Sequence, residues 1–237
     1  MKGKKILVLN LTRMGDLIQT TPLIAGLKEA DPSCEVTLAV NLGFVGITEF
    51  LPDVDRVVTF DATPLRPADH REYFALDAFR RADSFVKELK AGGFDVLINL
   101  THSAPSAIIG SMLGIPDVRG TCLSDDAART VHNRWLMYFS ALLSFRRYNT
   151  FNLVDLYSLG GGAKPGARRP VLDTARPESD AGALLAELGI TEGEKIIGIQ
   201  AGSSMAERRW PPSNFARTAD LLAERWNARI VFFGVPS

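Results

Sequence analysis

The chain has 237 residues, enough for one large domain or two smaller ones. Hydrophobic residues make up 46% and charged residues 23%, the balance of an ordinary globular protein. Lysine and arginine number 27 against 27 acidic residues, so the formal charge is zero, which speaks against a general nucleic-acid binder.

The chain opens on the basic Met1-Lys2-Gly3-Lys4-Lys5, and an apolar run over residues 6–11 reads as a strand. Polar Asn10, Thr12 and Arg13 interrupt the run and no small-residue cleavage site follows, so it is not read as a signal peptide. Residues 17–30 read as a helix with Leu17, Ile18, Ile24 and Leu27 on one face, stopped by Asp31-Pro32. A strand is expected over residues 35–40, a short helix near 45–51 and a strand over 56–60. Residues 61–70 read as a long polar loop, a length often tied to function. Residues 73–90 form an amphipathic helix ended by Gly92-Gly93, and 96–100 is the clearest buried strand. Helix 105–113 is capped by Gly114, and 118–121 is a short strand. Residues 134–144 and 152–159 look helical.

The run Gly160-Gly161-Gly162-Ala163-Lys164-Pro165-Gly166 then breaks all periodicity and reads as a linker. Helix 180–188, strand 196–200, helix 214–226 and strand 229–233 follow. Strands alternating with helices imply an α/β fold with a mainly parallel sheet covered on both faces. The expected division is a Rossmann-like domain over 1–160, a linker over 161–170, and the truncated start of a second such domain over 171–237. One βαβ unit is too small to bury a core alone, so that domain is expected to continue beyond Ser237. Cys34 and Cys122 have no metal-binding spacing and read as reduced, buried thiols. No window approaches the roughly 18 apolar residues of a membrane span.

Parallel sheets bind ligands beyond the carboxyl ends of their strands, which directs attention to the loops there. After the opening strand comes Gly15-Asp16. Asp16 with Gln19 has the spacing of a capping box, and an acid is favoured at the start of a helix. Pro22 argues against one continuous helix, because proline inside a helix loses a backbone hydrogen bond. The regular helix can instead start near Thr21-Pro22, leaving Asp16 on a separate turn facing the ligand edge. Gly15 would let a substrate approach the backbone closely. Neither a dinucleotide-binding glycine fingerprint nor a P-loop is present.

The pattern of a strand, then Met14-Gly15-Asp16, then Thr20-Thr21-Pro22 resembles the start of glycosyltransferase family 9, the bacterial ADP-heptose:lipopolysaccharide heptosyltransferases. A second block resembles the start of the family's donor domain: Ile197-Gly198-Ile199-Gln200-Ala201-Gly202-Ser203-Ser204, then Arg208-Arg209-Trp210-Pro211 and Phe215. The resemblance implies a GT-B-type architecture of two Rossmann-like halves. It implies inverting transfer of heptose from ADP-heptose to the lipopolysaccharide inner core without a required metal or other cofactor, in the cytoplasm and peripherally at the inner membrane. Asp16 matches the family's proposed general base. Ser203, Ser204 and Arg208 are the expected donor phosphate contacts, where the family often has lysine in place of Arg208. The family's later Asp-Thr-Gly-x-x-His motif is absent, so these residues alone are expected to be inactive.

An acidic, often phosphorylated acceptor calls for cations near the cleft. Arg66, Arg71, Arg80 and Arg81 surround the long loop and its helix, and Arg129 and Arg134 flank another. Arg119 is the favoured acceptor contact, because the family often has arginine after the matching strand; Arg13, Gly15 and His102 join it. Each has a plainer alternative, such as a solvated arginine or a hydrogen-bonded loop histidine. Trp210 reads as packing, and the aromatic run 135–139 reads more readily as core than as membrane contact. An epimerase or hydrolase on a similar scaffold, or a non-catalytic sugar-nucleotide binding module, are the competing classes; a poised base disfavours the last.

Overall fold

The computed structural model describes residues 3–62, 71–141, 145–164, 169–203 and 206–234. The chain divides into two compact units, Met1–Asp173 and Thr174–Ser237.

In the first unit the strands are β1 (Lys5–Asn10), β2 (Glu35–Asn41), β3 (Arg56–Phe60), β4 (Val96–Asn99), β5 (Asp117–Leu123) and β6 (Arg129–His132). The helices are α1 (Met14–Ile18), α2 (Thr21–Ala30), α3 (Arg71–Ala91), α4 (Ala104–Leu113), α5 (Arg134–Ala141) and α6 (Leu153–Gly161). The sheet runs β3-β2-β1-β4-β5-β6, with the pairs from β3 through β5 parallel and β6 antiparallel to β5.

β1 is apolar from Ile6 to Leu9, and both its faces are covered. Ile6 and Val8 join Leu38 and Ile98 against Leu17, Leu23 and Tyr157. Leu7 and Leu9 face the other way, against Phe85, Val86 and Leu89 of α3 and Ile109 of α4. Each such side chain, fully buried, contributes about 1.5–3 kcal/mol. The chain leaves β1 toward β2 and β3, then returns to β4 on the opposite flank. The strand order therefore reverses between β1 and β4, and open α/β sheets hold ligands at the carboxyl edge of such a point.

The predicted helix over 17–30 is two helices. Pro22 has no N–H for the carbonyl of Ile18, and the hydroxyl of Thr21 donates to that oxygen instead, at 2.9 Å. Gln19 donates to the carbonyl of Gly15, so no capping box forms around Asp16. The expected short helix near 45–51 is a 3-10 stretch over Leu42–Phe50. β6 was not foreseen; it returns from β5 through a tight turn in which Ser124 N–H donates to the Ala128 carbonyl at 2.9 Å. The long loop over 61–70 lies outside the described residues from 63 onward.

The first two glycines of the run expected as linker are packed into the first unit. Gly160 and Gly161 end α6, and both are buried. A β-carbon on Gly160 would collide with Leu136, and one on Gly161 with Leu23. Gly162 closes the helix with φ 84°, a left-handed cap that favours glycine. Further on, Val171 N–H donates to the Thr21 hydroxyl at 3.0 Å and Asp173 N–H to the Phe50 carbonyl at 2.8 Å, holding this stretch to the first unit. Residues 165–168 lie outside the described set.

The second unit contains α7 (Ala175–Glu187), β7 (Lys195–Gln200), α8 (Pro212–Trp226) and β8 (Ala228–Phe233). β7 and β8 pair in parallel, Ile197 opposite Ile230, as a single βαβ unit.

Candidate functional site

Three strands of the first unit end in asparagine, and in β1 and β4 that asparagine is fully buried and builds a loop. Asn10 is fully buried, and its amide donates to the Thr20 hydroxyl at 2.9 Å and to the Asp16 carbonyl at 3.4 Å. The Thr20 hydroxyl donates to that same carbonyl at 2.8 Å, and Asp16 N–H donates to Arg13 O at 3.0 Å. The Asp16 peptide is thus fixed at both ends. Its carboxylate has no hydrogen bond or ion pair among the described residues, and the residue is half-buried.

Asn99 does the same for the neighbouring loop. Its amide donates to Ser106 O at 3.1 Å and Thr121 O at 2.8 Å, and its carbonyl accepts from Thr101 N–H at 3.0 Å. The Thr101 hydroxyl accepts from Leu11 N–H at 2.8 Å, tying the β4 loop to the β1 loop. Buried amides of this kind must be satisfied, and here they fix one loop geometry.

His102 sits on that second loop. Its ring lies 4.8 Å from the Phe139 ring, and both ring nitrogens are shut off from solvent without a hydrogen-bond partner. Burial pushes its pKa below the usual 6.5, the Arg129 charge adds to this, and Asp16 opposes it. The imidazole is therefore neutral near pH 7. Arg129 begins β6 at the carboxyl end of β5 and donates to the His102 carbonyl at 3.2 Å. Tyr157 comes from α6, is 2% exposed, and has its pKa pushed up by burial and by the Asp16 charge. The Asp16 charge thus reaches both the His102 imidazole and the Tyr157 phenol.

Other expected residues fall differently. Arg13 precedes α1 with its side chain exposed. Gly15 is exposed, with no protein atom within 4 Å of where a β-carbon would stand. The fold does not require glycine there, and the space beside it is open. Arg119 has another task. It holds Asp117 through two nitrogens, at 2.8 and 3.2 Å, and donates to the Gly161 carbonyl at 2.5 Å. Its guanidinium is held by the start of β5 and the carboxyl end of α6. Arg81 is likewise taken up, by Asp61 at 2.5 Å and Asp77 at 2.9 Å.

In the second unit the loop after β7 carries Ser203, and Arg209 Nε donates to the Ser203 carbonyl at 2.7 Å. Arg208 ends a 3-10 turn and is exposed; Ser204 lies outside the described residues. Trp210 is half exposed and meets Phe215 edge-on at 5.2 Å. Of the aromatic run on α5, Leu136 is fully buried while Met137 is exposed. Among the described residues no three His, Cys, Asp or Glu side chains stand close enough to hold a metal ion, and no helix is long and apolar enough to cross a membrane.

Residues 82–237 match the family described as glycosyltransferase family 9 (heptosyltransferase). The chain belongs to glycosyltransferase family 9. The matched span takes in His102, Arg129, Tyr157 and the β7 loop; the Gly15-Asp16 turn precedes it. A family 9 glycosyl transferase from Veillonella parvula superposes with a TM-score of 0.75 at 22% identity, over 100% of this chain and 64% of that one. The E. coli ADP-heptose lipopolysaccharide heptosyltransferase II gives 0.66 at 16% identity, over 97% and 64%. The E. coli heptosyltransferase WaaC with ADP gives 0.64 at 18%, over 98% and 67%. The family 9 chain therefore spans 64% of the length of the first two of these structures. At these identities the likeness is one of fold, the α/β fold of GT-B-type transferases expected from the sequence. No curated protein matches the chain.

What the sequence missed is Tyr157 and the pair Asn10 and Asn99. The signal for the asparagines was present: both central strands read as an apolar run closed by Asn. Tyr157 had no such signal, because it enters through the packing of α6 beside α2.

Proposed function

We propose that this protein is an inverting glycosyltransferase that moves heptose from ADP-L-glycero-D-manno-heptose to an inner-core lipopolysaccharide sugar, with Asp16 as general base. The acceptor hydroxyl oxygen attacks the anomeric carbon, its proton passes to the Asp16 carboxylate, and the bond to the ADP oxygen breaks, taking its electron pair with the nucleotide. The observation that carries this reading is the Asp16 carboxylate itself: its backbone is fixed on both sides, while the charged group has no partner among the described residues. Family membership and a heptosyltransferase fold support the reaction class.

On the acceptor side, Arg13, Gly15 and His102 bound the space beside Asp16, and Arg129 supplies a cation for an acidic acceptor. On the donor side, Ser203, Ser204 and Arg208 meet the diphosphate, as small-residue loops with a nearby cation do. The lipid-linked acceptor places the reaction at the cytoplasmic face of the inner membrane.

The test is Asp16→Asn in the complete protein, assayed for transfer and for ADP binding. Removing a positioned base lowers transfer by about 10²–10⁴-fold, and ADP affinity stays within about twofold because the base makes no donor contact. Turnover close to wild type in Asp16→Asn rejects the assignment.

A further inference from the structure

Tyr157 stands out once the site is laid out. It is among the largest fully buried side chains, packed with Leu17, Leu23 and Leu136. A buried phenol ordinarily finds a hydrogen-bond partner. The Tyr157 hydroxyl bonds to no described residue. Among the described residues, the closed-off side-chain atoms lacking a partner are the two nitrogens of His102 and the Thr121 hydroxyl; the Tyr157 oxygen is not one of them, so it keeps an opening. The Asp16 charge reaches both the phenol and the imidazole. The imidazole nitrogens are closed off, whereas the Tyr157 hydroxyl is unused and open, on a ring packed in the same cluster as Leu17, the residue after Asp16.

We propose that the Tyr157 hydroxyl, seated in the α2–α6 packing beside Asp16, is an acceptor-contacting group that holds a sugar oxygen next to the hydroxyl Asp16 deprotonates. This deepens the acceptor side of the transferase reading and rests on it. Burial keeps the phenol protonated, so it always donates. A sugar alcohol both donates and accepts, and the vicinal oxygens of a polyhydroxylated ring suit a donor and a carboxylate set side by side. A neutral donor also binds the acceptor without competing for the charge of Asp16, which a lysine or arginine in its place would neutralise.

The experiment is Tyr157→Phe in the complete protein. The substitution removes one oxygen that bonds to no described residue, so the melting temperature is unchanged. The acceptor KM rises about tenfold, the loss expected for one hydrogen bond, with kcat less affected and the donor KM unchanged. Titration with a soluble, deacylated inner-core oligosaccharide reads the same contact without turnover and shows a matching loss of affinity. Equal acceptor KM and equal oligosaccharide binding in variant and wild type overturn the inference and leave Asp16 as base. A protein that transfers no heptose, yet binds the oligosaccharide through Tyr157, overturns the transferase reading and supports the subsite. Absence of oligosaccharide binding in the wild type overturns both.

Discussion

Arg119 closes the carboxyl end of α6, donating to the Gly161 carbonyl at 2.5 Å while it holds Asp117 with two nitrogens. The last carbonyls of a helix lack partners within it, and a cation there also meets the negative end of the helix dipole. The same arginine therefore clamps the sheet to the helix.

Arg119→Ala should accordingly cost stability and spare acceptor binding. Loss of hydrogen bonds to charged groups, partly screened at this half-buried site, amounts to about 1.5–3 kcal/mol. Arg119→Lys recovers only part of it, since an ammonium cannot grip Asp117 with two nitrogens. Denaturant unfolding measures the first effect and the acceptor KM the second. A large rise in KM at wild-type stability returns Arg119 to the substrate.

The glycines give opposite expectations at two positions. Gly161→Ala forces a methyl into Leu23, and overpacking of this kind costs about 1–3 kcal/mol. Gly15→Ala meets open space on a helical turn and keeps or raises stability, by up to about 1 kcal/mol. If the acceptor passes over Gly15, that stable variant still shows a raised acceptor KM. Thermal unfolding of both variants, with kinetics on Gly15→Ala, separates packing from approach.

His102 makes stability depend on pH. Its folded pKa lies below the usual 6.5, chiefly from burial and then from Arg129, with Asp16 opposing. Below pH 6.5 the unfolded chain then binds a proton more readily than the folded one, so stability falls as pH drops through that value. Above it the contribution is constant. In a series of melting curves His102→Gln should lose less on acidification than wild type. Parallel curves for the two proteins would mean that the imidazole titrates normally.

Much of the fold was legible because its periodicities are local. The alternation of strands and helices, the Gly114 cap and the break at Pro22 each follow from a few adjacent residues. Three features were not. Arg129–His132 carries only one strongly apolar residue, Val131, so β6 reads as loop until β5 is beside it. The glycine run looks like a linker because sequence cannot reveal that Leu136 and Leu23 fill the space where β-carbons would be. The site depends on the strand order, which brings the loop after Asn10 beside the loop after Asn99 across 90 residues of chain, as the Leu11–Thr101 hydrogen bond records. Asp16 could be singled out from its turn, whereas Arg129 and Tyr157 acquire meaning only from that order.

The groups that hold the Asp16 peptide, Asn10 and Thr20, carry no charge. Ions in solution screen attractions between charges and leave such neutral bonds almost untouched. The seat of this carboxylate is thus indifferent to ionic strength, while Arg129, exposed at the rim, is not. Added electrolyte would then act on the arrival of a charged partner and not on the alignment that awaits it.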